Sequence, residues 1–127
     1  SNEFLRSDDL EVVLREAFAH PAVEGVLLWG FMETAMHRKN AHLMDSDGRI
    51  NEAGKKLIAL RHEWRTSCSG TTDDLGCFSF RGYHGVYTLS VEDSCGKSIQ
   101  QEFELKTGDD IFILEVDITS CNGESFV

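Results

Sequence analysis

Two carboxylates and a glycine lie close together in residues 45–50 (DSDGRI), which imitate the middle of a calcium-binding EF-hand loop. The flanking positions argue against a calcium site, because the first and twelfth ligand places fall on Leu43 and Gly54, which offer no side-chain oxygen. The segment therefore predicts a turn before a helix. The five histidines show neither the H-x-x-x-H nor the Cys/His spacing of a zinc site, so we predict no bound metal and no cofactor.

Four cysteines, Cys68, Cys77, Cys95 and Cys121, all lie in the second half of the chain, and none belongs to a C-x-x-C pair. An even number confined to one segment is typical of one or two disulfide bonds in a secreted domain. Two disulfides would allow three pairings, and free thiols are the alternative. The sequence therefore predicts disulfide bonds among these four residues without fixing the pairs.

Two further groups of side chains could contact a ligand. Glu33 follows an apolar run and could act as a catalytic acid, but no carboxylate partner can be assigned to it, so we expect a structural or hydroxyl-binding role. Tyr83, His84 and Tyr87 could form a sugar-binding patch. Aromatic residues interleaved with glycine are more often core and turn residues of a small β domain, and we expect that role here.

Two helices are predicted in the first half of the chain. The first begins after Asp8, where Asp8 and Glu11 can form a capping box, and ends at His20 and Pro21. Its apolar residues recur at helical spacing, namely Leu10, Val13, Leu14, Ala17 and Phe18. The second helix begins after Asn51, a good N-cap residue. Its inward face is made of Ala53, Leu57, Leu60 and Trp64.

Between the two helices lies the apolar run 26–31 (VLLWGF), which has strand length and no alternation. Such a run is typical of a strand that is covered on both faces, as in a parallel sheet. A single strand of this kind has no sheet partner within the segment, so its backbone hydrogen bonds must come from strands elsewhere. The first half is therefore expected to be a slice of a larger α/β domain.

The composition changes at residues 66–74 (TSCSGTTDD), which are polar and rich in turn-forming residues. We place a domain boundary here, which divides the chain into residues 1–65 and 66–127. Beyond it, apolar residues alternate with others in four stretches, at residues 78–80, 87–91, 99–105 and 112–118. Turn-forming residues separate the stretches, at residues 82–85, 93–96 and 107–109. This half predicts a small antiparallel β-sheet or sandwich.

Three motifs occur in order along the chain, in residues 8–31 (DDLEVVLREAFAHPAVEGVLLWGF), 51–57 (NEAGKKL) and 78–87 (FSFRGYHGVY). Together they resemble the C-terminal part of the plant glycoside hydrolases of family 10, the endo-1,4-β-xylanases. The resemblance implies that residues 1–65 are the last portion of a (β/α)8 TIM barrel, with helix seven, strand eight and helix eight. It implies that residues 66–127 are the C-terminal antiparallel β extension.

The resemblance also implies a chemistry. The family hydrolyses β-1,4-xylan with retention, using an acid/base glutamate on strand four and a nucleophilic glutamate on strand seven. Such a pair of carboxyl groups stands about 5–5.5 Å apart across the bond to be cleaved. Because both strands precede the part of the barrel that this chain resembles, no catalytic residue is assigned to it. We expect the chain by itself to be inactive.

What the resemblance assigns to this chain is one part of a sugar-binding wall. Trp29 matches a family tryptophan that lines the subsite for the sugar under attack, where an indole face suits the C–H face of a pyranose. In the family, an aspartate and a serine-tryptophan pair follow this strand. Glu33 and Met36-His37 occupy those places here, so the second aromatic wall is either missing or supplied by other residues. The substrate-binding residues implied are Trp29, Glu33, His37 and Asn40. A core position is the alternative for Trp29, and a solvated or helix-contacting loop is the alternative for Asn40.

Charge and composition restrict the partners of the chain. With 22 acidic and 12 basic residues, the net charge of -10 opposes binding to nucleic acid or to an anionic membrane. No apolar run approaches the ~20 residues of a membrane span, and the sequence shows no signal peptide. The resemblance implies a polysaccharide substrate, xylan, bound through the parent barrel of a secreted cell-wall protein. The alternative is a non-catalytic carbohydrate-binding or interaction module that acts through the β half.

Overall fold

The computed structural model describes residues 2–118, in which the chain forms two α-helices, one short 3₁₀ helix and two β-strands. In chain order these are α1 (Glu3–Ala19), the 3₁₀ helix (Glu33–Ala35), α2 (Glu52–Glu63), β1 (Gly85–Glu92) and β2 (Ser98–Leu105). The chain divides after Ser67 into two compact units, the first containing the helices and the second the strands. None of the helices described is long and apolar enough to cross a membrane.

Helix α1 begins earlier than the sequence pattern predicted. Its first residue is Glu3, and the side chain of Asn2 accepts a hydrogen bond from the backbone N–H of Phe4 at 3.1 Å. Asn is among the preferred N-cap residues, so this cap allows the helix to extend by another turn and more. The predicted capping box of Asp8 and Glu11 is therefore wrong, because both residues lie inside the helix.

The other predicted helix boundaries are confirmed. Ala19 is the last residue of α1, and His20 takes an extended conformation, which is the conformation that a following Pro21 favours. At the start of α2, the side-chain oxygen of Asn51 accepts a hydrogen bond from the backbone N–H of Gly54 at 3.0 Å. Asn51 is thus the N-cap that the sequence predicted.

A small core joins α1 and α2. Its fully covered apolar side chains, among the residues described, are Leu14, Ala53 and Leu60. Next to them, the rings of Phe18 and Trp64 stack with their centroids 4.2 Å apart and their planes within 3°. The inward face predicted for α2 is therefore confirmed at Ala53, Leu60 and Trp64.

Charged side chains also link the two helices. The guanidinium of Arg15 donates two hydrogen bonds to the carboxylate of Glu63, at 2.7 and 2.8 Å, and Lys56 donates to Glu11 at 2.6 Å. The earlier residue of α1, Glu11, contacts the earlier residue of α2, Lys56, and the later residue, Arg15, contacts the later residue, Glu63. Helices α1 and α2 therefore run in the same direction. The extended chain between them therefore runs back, which is the course of the chain in a β/α repeat.

The apolar run 26–31 does not form a β-strand within the described part of the chain. The backbone N–H groups of residues 24–32 donate no hydrogen bond to any described residue. Exposure alternates over residues 26–29, because Leu27 and Trp29 are 99% and 97% exposed, whereas Val26 and Leu28 are 52% and 47% exposed. The prediction of a strand is wrong for this chain because residues 2–118 supply no neighbouring strand to pair with it.

The second unit is built on one antiparallel hairpin. Strands β1 and β2 pair over their whole length, with Tyr87 opposite Phe103. The predicted turn at residues 93–96 is confirmed. The side chain of Asp93 accepts hydrogen bonds from the backbone N–H groups of Cys95 and Lys97, both at 2.9 Å. Gly96 has φ 79°, a conformation that favours glycine.

Two of the four predicted strands are absent from the described residues. Residues 78–80 and 112–118 make no strand pairing, so the sheet has two strands instead of the four that the alternation predicted. Alternate side chains at Leu114, Val116 and Ile118 are nevertheless half-buried. The period-two pattern therefore marks which side chains are covered, but a ladder of backbone hydrogen bonds does not accompany it. The predicted antiparallel sheet is confirmed, and the sandwich is not formed in this range.

Candidate functional site

Trp29 lies in the second half of the run 26–31, and its side chain is almost completely exposed. Just beyond it the chain becomes fixed. The carbonyl of Phe31 accepts backbone hydrogen bonds from Leu43 at 2.8 Å and Met44 at 3.0 Å. Residue 43 in turn accepts a hydrogen bond from the N–H of Asn51, the cap of α2. Trp29 is therefore presented to solvent from a segment that is anchored at its C-terminal end to the start of α2.

Glu33 lies on the short 3₁₀ helix and makes hydrogen bonds to the loop that follows it. Its carboxylate accepts a hydrogen bond from the backbone N–H of Ser46 at 2.8 Å, and its own N–H donates to the carbonyl of Met44 at 2.9 Å. These two contacts hold residues 44–46 against the 3₁₀ helix. The structure therefore gives Glu33 a structural contact, which the sequence had offered as one of two roles.

A hydrogen-bonded group of His42, Asp45 and Arg49 lies in the same loop. The Nε2 atom of the buried His42 is 3.1 Å from Asp45, and the other oxygen of Asp45 accepts from Arg49 Nε at 2.7 Å. Burial opposes the ionisation of Asp45. The hydrogen bond and positive charge of Arg49, with a contribution from His42, outweigh this and hold the pKa of Asp45 below its ordinary value. Asp45 is therefore an ionised anchor of the loop.

Glu33, His42 and Asp45 are the described residues that come nearest to a metal site, because each offers a ligand atom within 4.8 Å of the others. Their existing partners argue against that use. Both carboxylates already accept hydrogen bonds, from Ser46 and Arg49. A metal-bound histidine ordinarily donates its second ring N–H, yet the Nδ1 atom of His42 is buried without a partner. The geometry fits a loop-holding network better than a metal centre.

The remaining predicted substrate residues lie in the exposed part of this loop. His37 is exposed. Asn40 has a positive φ of 64°, and its carbonyl accepts a hydrogen bond from the guanidinium of Arg6. Asn40 also lines a polar cavity of about 170 Å³, together with Glu3, Arg6, His42, Asp45 and Arg49. Among the four predicted residues, Asn40 therefore lines this cavity, and Trp29, Glu33 and His37 do not.

The sequence did not single out Glu3, Arg6 or Arg49 as residues of this cavity. Glu3 accepts a hydrogen bond from the N–H of Glu52 at 2.8 Å, at the N-terminus of α2, and lies 3.7 Å from Arg49. Arg6 reaches a carbonyl 34 positions away. These contacts join the start of α1 to the loop before α2, so no local pattern in the sequence could have revealed them.

The aromatic residues of the second unit form a row of packed rings. Tyr87 lies between Phe80 and Phe103, with centroids at 5.8 and 5.4 Å, and Phe112 stacks on Phe103 at 5.8 Å. The hydroxyl of Tyr87 donates to the carbonyl of Tyr83 at 2.6 Å. Because Phe103 stacks on one face of Tyr87 and Phe80 packs against the same ring at a tilt of 53°, the half-buried Tyr87 packs within the unit, as expected from the sequence. His84 is exposed.

The cysteines of the second unit differ in state. Cys95 is disulfide-bonded, whereas Cys68 and Cys77 are exposed free thiols. Cys77 lies in a turn where the carboxylate of Asp73 accepts its backbone N–H at 2.8 Å. The predicted disulfide bonds therefore do not include Cys68 or Cys77 in this structure. Cys121 lies outside the described residues.

Comparison with known proteins supplies the relatives of this chain. It is 43% identical over 120 residues to endo-1,4-beta-xylanase 3 of Arabidopsis thaliana, covering 94% of this chain and 16% of that protein. It is 52% identical over 99 residues to endo-1,4-beta-xylanase 2 of the same plant, covering 78% of this chain and 9% of that protein. No family model and no solved structure matches the chain.

A bacterial protein with a different name also matches. The chain is 42% identical over 91 residues to the anti-sigma-I factor RsgI6 of Acetivibrio thermocellus, covering 71% of this chain and 12% of that protein. The chain spans less than a fifth of the length of each of these three relatives. The chain is thus homologous to part of the plant endo-1,4-β-xylanases, as the resemblance in its motifs predicted.

Proposed function

We propose that this chain is the C-terminal part of an endo-1,4-β-xylanase-like glycoside hydrolase of family 10, which hydrolyses xylan with retention. The observation that carries the proposal is the 43% identity to endo-1,4-beta-xylanase 3 along 94% of the chain. Three of the relatives are proteins of Arabidopsis thaliana that are named endo-1,4-beta-xylanases. We accordingly place the parent protein outside the cell, and the disulfide bond of Cys95 suits an oxidising environment.

The geometry of the first unit supports its assignment to a (β/α)8 barrel. Two parallel helices flank an extended apolar segment that runs in the opposite direction, as helix seven, strand eight and helix eight would. Leu27 and Trp29 form the more exposed side of that segment. In a barrel, one side of each strand faces the interior and the other faces the helices, so we assign Leu27 and Trp29 to the interior.

The catalytic carboxylates of the proposed enzyme come from strands four and seven, outside this chain. Glu33 is not a substitute for either of them. Its carboxylate holds the N–H of Ser46, and an inverting or retaining glycosidase needs a second carboxyl group across the scissile bond. We therefore keep Glu33 as a loop-positioning residue and expect no hydrolysis by this chain alone.

Trp29 is the residue through which this chain contributes to substrate binding. Active sites of barrel enzymes lie at the C-terminal ends of the strands, and Trp29 stands near that end of residues 26–31. Its exposed indole offers a flat apolar face, which can cover the C–H face of a xylose ring. Asn40, with its side-chain amide, and His37 lie in the following loop and are proposed to contact sugar hydroxyls.

A chimera tests this proposal. The segment of Arabidopsis endo-1,4-beta-xylanase 3 that matches this chain is replaced by this chain, and release of reducing sugar from xylan is measured. We expect the chimera to hydrolyse xylan, whereas the isolated chain and the relative lacking the segment do not. A chimera that folds, as judged by circular dichroism and monodisperse elution, but releases no sugar would remove the proposed function.

The second candidate function, a carbohydrate-binding module in the second unit, has less support. The rings of Tyr87 and Phe103 stack on each other with their planes 16° apart, so the two faces in contact cannot stack on a sugar. Retention of the full chain on insoluble xylan, lost in Tyr83→Ala but unchanged in Trp29→Ala, would favour this alternative.

A further inference from the structure

The polar cavity beside Asn40 is small and charged. Its volume is about 170 Å³, which is below the roughly 300–1,000 Å³ of sites that enclose a drug-sized ligand. Two arginines and two carboxylates line it, and they come from the start of α1 and from the loop before α2. The cavity therefore suits one small polar group better than a length of polysaccharide.

Both carboxylates of this cavity already have partners within the protein. Asp45 accepts a hydrogen bond from Arg49 Nε at 2.7 Å and lies 3.1 Å from His42 Nε2. Glu3 accepts a hydrogen bond from the N–H of Glu52 at 2.8 Å and lies 3.7 Å from Arg49. Arg49 thus lies against both carboxylates, and the negative groups of the cavity are balanced without a ligand.

Arg6 is the charged group of the cavity that has no charged partner. Its guanidinium donates to the carbonyl of Asn40, and no ion pair among the described residues includes it. Its Nε atom is buried without a hydrogen-bond partner, and the residue as a whole is half-buried. A guanidinium has five N–H donors in a planar fork, two of which can bind one carboxylate. Arg6 therefore has donors left for a carboxylate ligand.

The ends of the two helices add positive partial charge at the same place. Arg6 and Glu3 lie at the start of α1, and Glu52, which contacts Glu3, is the first residue of α2. Each helix N-terminus carries roughly +0.5 of an elementary charge. The formal charges of the two arginines and two carboxylates cancel, so the helix ends make the cavity positive overall. The net charge of -10 is spread over the whole chain and is screened by salt beyond about 8 Å.

We propose that this cavity binds the carboxylate of an acidic sugar, a uronic acid that branches from the xylan backbone, with Arg6 as its main contact. In a β/α barrel, active sites lie at the end where strands finish and helices begin. The cavity is built from the start of α1 and from the loop that follows residues 26–31, which places it at that end. The assignment to a branch of xylan rests on the proposed function, whereas the choice of a carboxylate rests on the unpaired Arg6.

Titration of the full chain tests the site without any need for catalysis. The chain labelled with nitrogen-15 is titrated with D-glucuronate, with D-glucose as the neutral sugar and with acetate as the carboxylate without a sugar, and amide chemical shifts are followed. We expect saturable shifts at residues 40–49 with D-glucuronate, and at least about tenfold weaker binding of the other two compounds. Equal binding of D-glucose would overturn the role of the carboxylate, and equal binding of acetate would overturn the assignment to a sugar.

Matched variants test whether Arg6 makes the contact. Arg6→Gln removes the guanidinium from the cavity, and Arg81→Gln removes one from the second unit, where the side chain of Arg81 is 95% exposed. Arg6→Gln should weaken D-glucuronate binding at least about tenfold, and Arg81→Gln should leave it unchanged. Arg6→Lys keeps the charge without the planar fork and should bind with intermediate affinity. Wild-type affinity in a folded Arg6→Gln or Arg6→Lys chain would overturn the proposal, and circular dichroism checks the folding.

A second assay separates this inference from the proposed function. The chimera with endo-1,4-beta-xylanase 3 is assayed on xylan that carries glucuronic acid branches and on unbranched xylan. Arg6→Gln should lower kcat/KM at least about fivefold on the branched xylan and leave it unchanged on the unbranched one. An equal effect on both substrates would overturn the assignment to a branch. A chimera that hydrolyses neither xylan would remove the proposed function, whereas the titration with D-glucuronate would still decide whether the cavity binds a uronic acid.

Discussion

Replacing Asn51 by alanine should destabilise the first unit more than any other single change at a helix end. The side chain of Asn51 is 1% exposed and makes two hydrogen bonds. Its oxygen accepts from the N–H of Gly54 at 3.0 Å, and its Nδ2 donates to the carbonyl of His42 at 2.8 Å. Asn51→Ala therefore removes the cap of α2 and leaves a buried carbonyl without a donor.

The expected magnitude follows from these two losses. An N-cap contributes about 1 kcal/mol, and a buried acceptor without a partner costs about 1–3 kcal/mol, so Asn51→Ala should lower the free energy of unfolding by roughly 2–4 kcal/mol. Asn2→Ala is the matched control, because Asn2 caps α1 with one exposed hydrogen bond at 3.1 Å. It should cost about 1 kcal/mol or less.

The assay is urea unfolding followed by far-ultraviolet circular dichroism, with the fluorescence of the two tryptophans, Trp29 and Trp64, as a second probe. Asn51→Asp keeps the acceptor and loses the donor, so it should fall between the wild type and Asn51→Ala. A loss for Asn51→Ala no larger than that for Asn2→Ala would refute the reasoning. It would mean that the contact with the carbonyl of His42 contributes nothing to stability.

Three further predictions concern packing, pH and thiol chemistry. Gly54→Ala should lower the thermal unfolding midpoint, because a Cβ at Gly54 would lie 2.3 Å from the carbonyl oxygen of Leu43, whereas Gly25→Ala, with open space around it, is the control. The pKa of Glu63 lies below its ordinary 4.5 because Arg15 donates hydrogen bonds to it, so this contribution to stability is present above that pH and lost as the pH falls through the lower folded pKa. The difference in urea midpoint between wild type and Glu63→Gln should therefore shrink on going from about pH 7 to about pH 3, and a constant difference would contradict the assignment. Iodoacetamide should label Cys68 and Cys77 in the native protein and leave Cys95 unlabelled, as peptide mass mapping will show, and labelling of Cys95 without a reductant would contradict its disulfide bond.

The sequence predicted a helix end correctly where a single residue type, such as a capping Asn or a Pro, determines the local backbone conformation. Asn51 before an apolar face and His20-Pro21 after one are such signals, and both boundaries are confirmed. The start of α1 was misplaced because two cap candidates compete. Asp8 begins the strongest periodic stretch, but Asn2 caps the helix that actually forms. Nothing local tells which of two acceptable caps is used.

Strands were harder to predict because a strand depends on its neighbours. Residues 26–31 have the composition of a buried strand but form no strand pairing within residues 2–118. Residues 114–118 alternate between half-buried and exposed side chains, and they too form no strand pairing with another described residue. The predicted turn at residues 93–96 is confirmed because Asp93 and Gly96 themselves specify it. Asp93 does so through side-chain hydrogen bonds, and Gly96 through its positive φ. The hairpin could therefore be predicted from the residues of its turn.

In the candidate site, too, a residue within a motif could be predicted, whereas contacts between residues far apart in the sequence could not. Resemblance in the motifs identified Trp29 as the aromatic residue of interest, and its exposure agrees with a side chain that is free to meet a ligand. The contact of Glu33 with Ser46 joins residues 13 positions apart, and the cavity beside Asn40 depends on Glu3 and Arg6 in α1. Such contacts follow from the fold, so the sequence offered only their residue types.

The kinetics of Trp29→Ala in the chimera with endo-1,4-beta-xylanase 3 test the central claim most directly. Loss of one stacked aromatic contact costs about 1–2 kcal/mol, so we predict that kcat/KM for xylan falls by roughly five- to thirtyfold. Leu75→Ala, an exposed change in the second unit, should leave kcat/KM unaltered. A folded, active chimera in which Trp29→Ala cleaves xylan as well as the parent chimera would contradict the claim that this chain completes the sugar-binding wall.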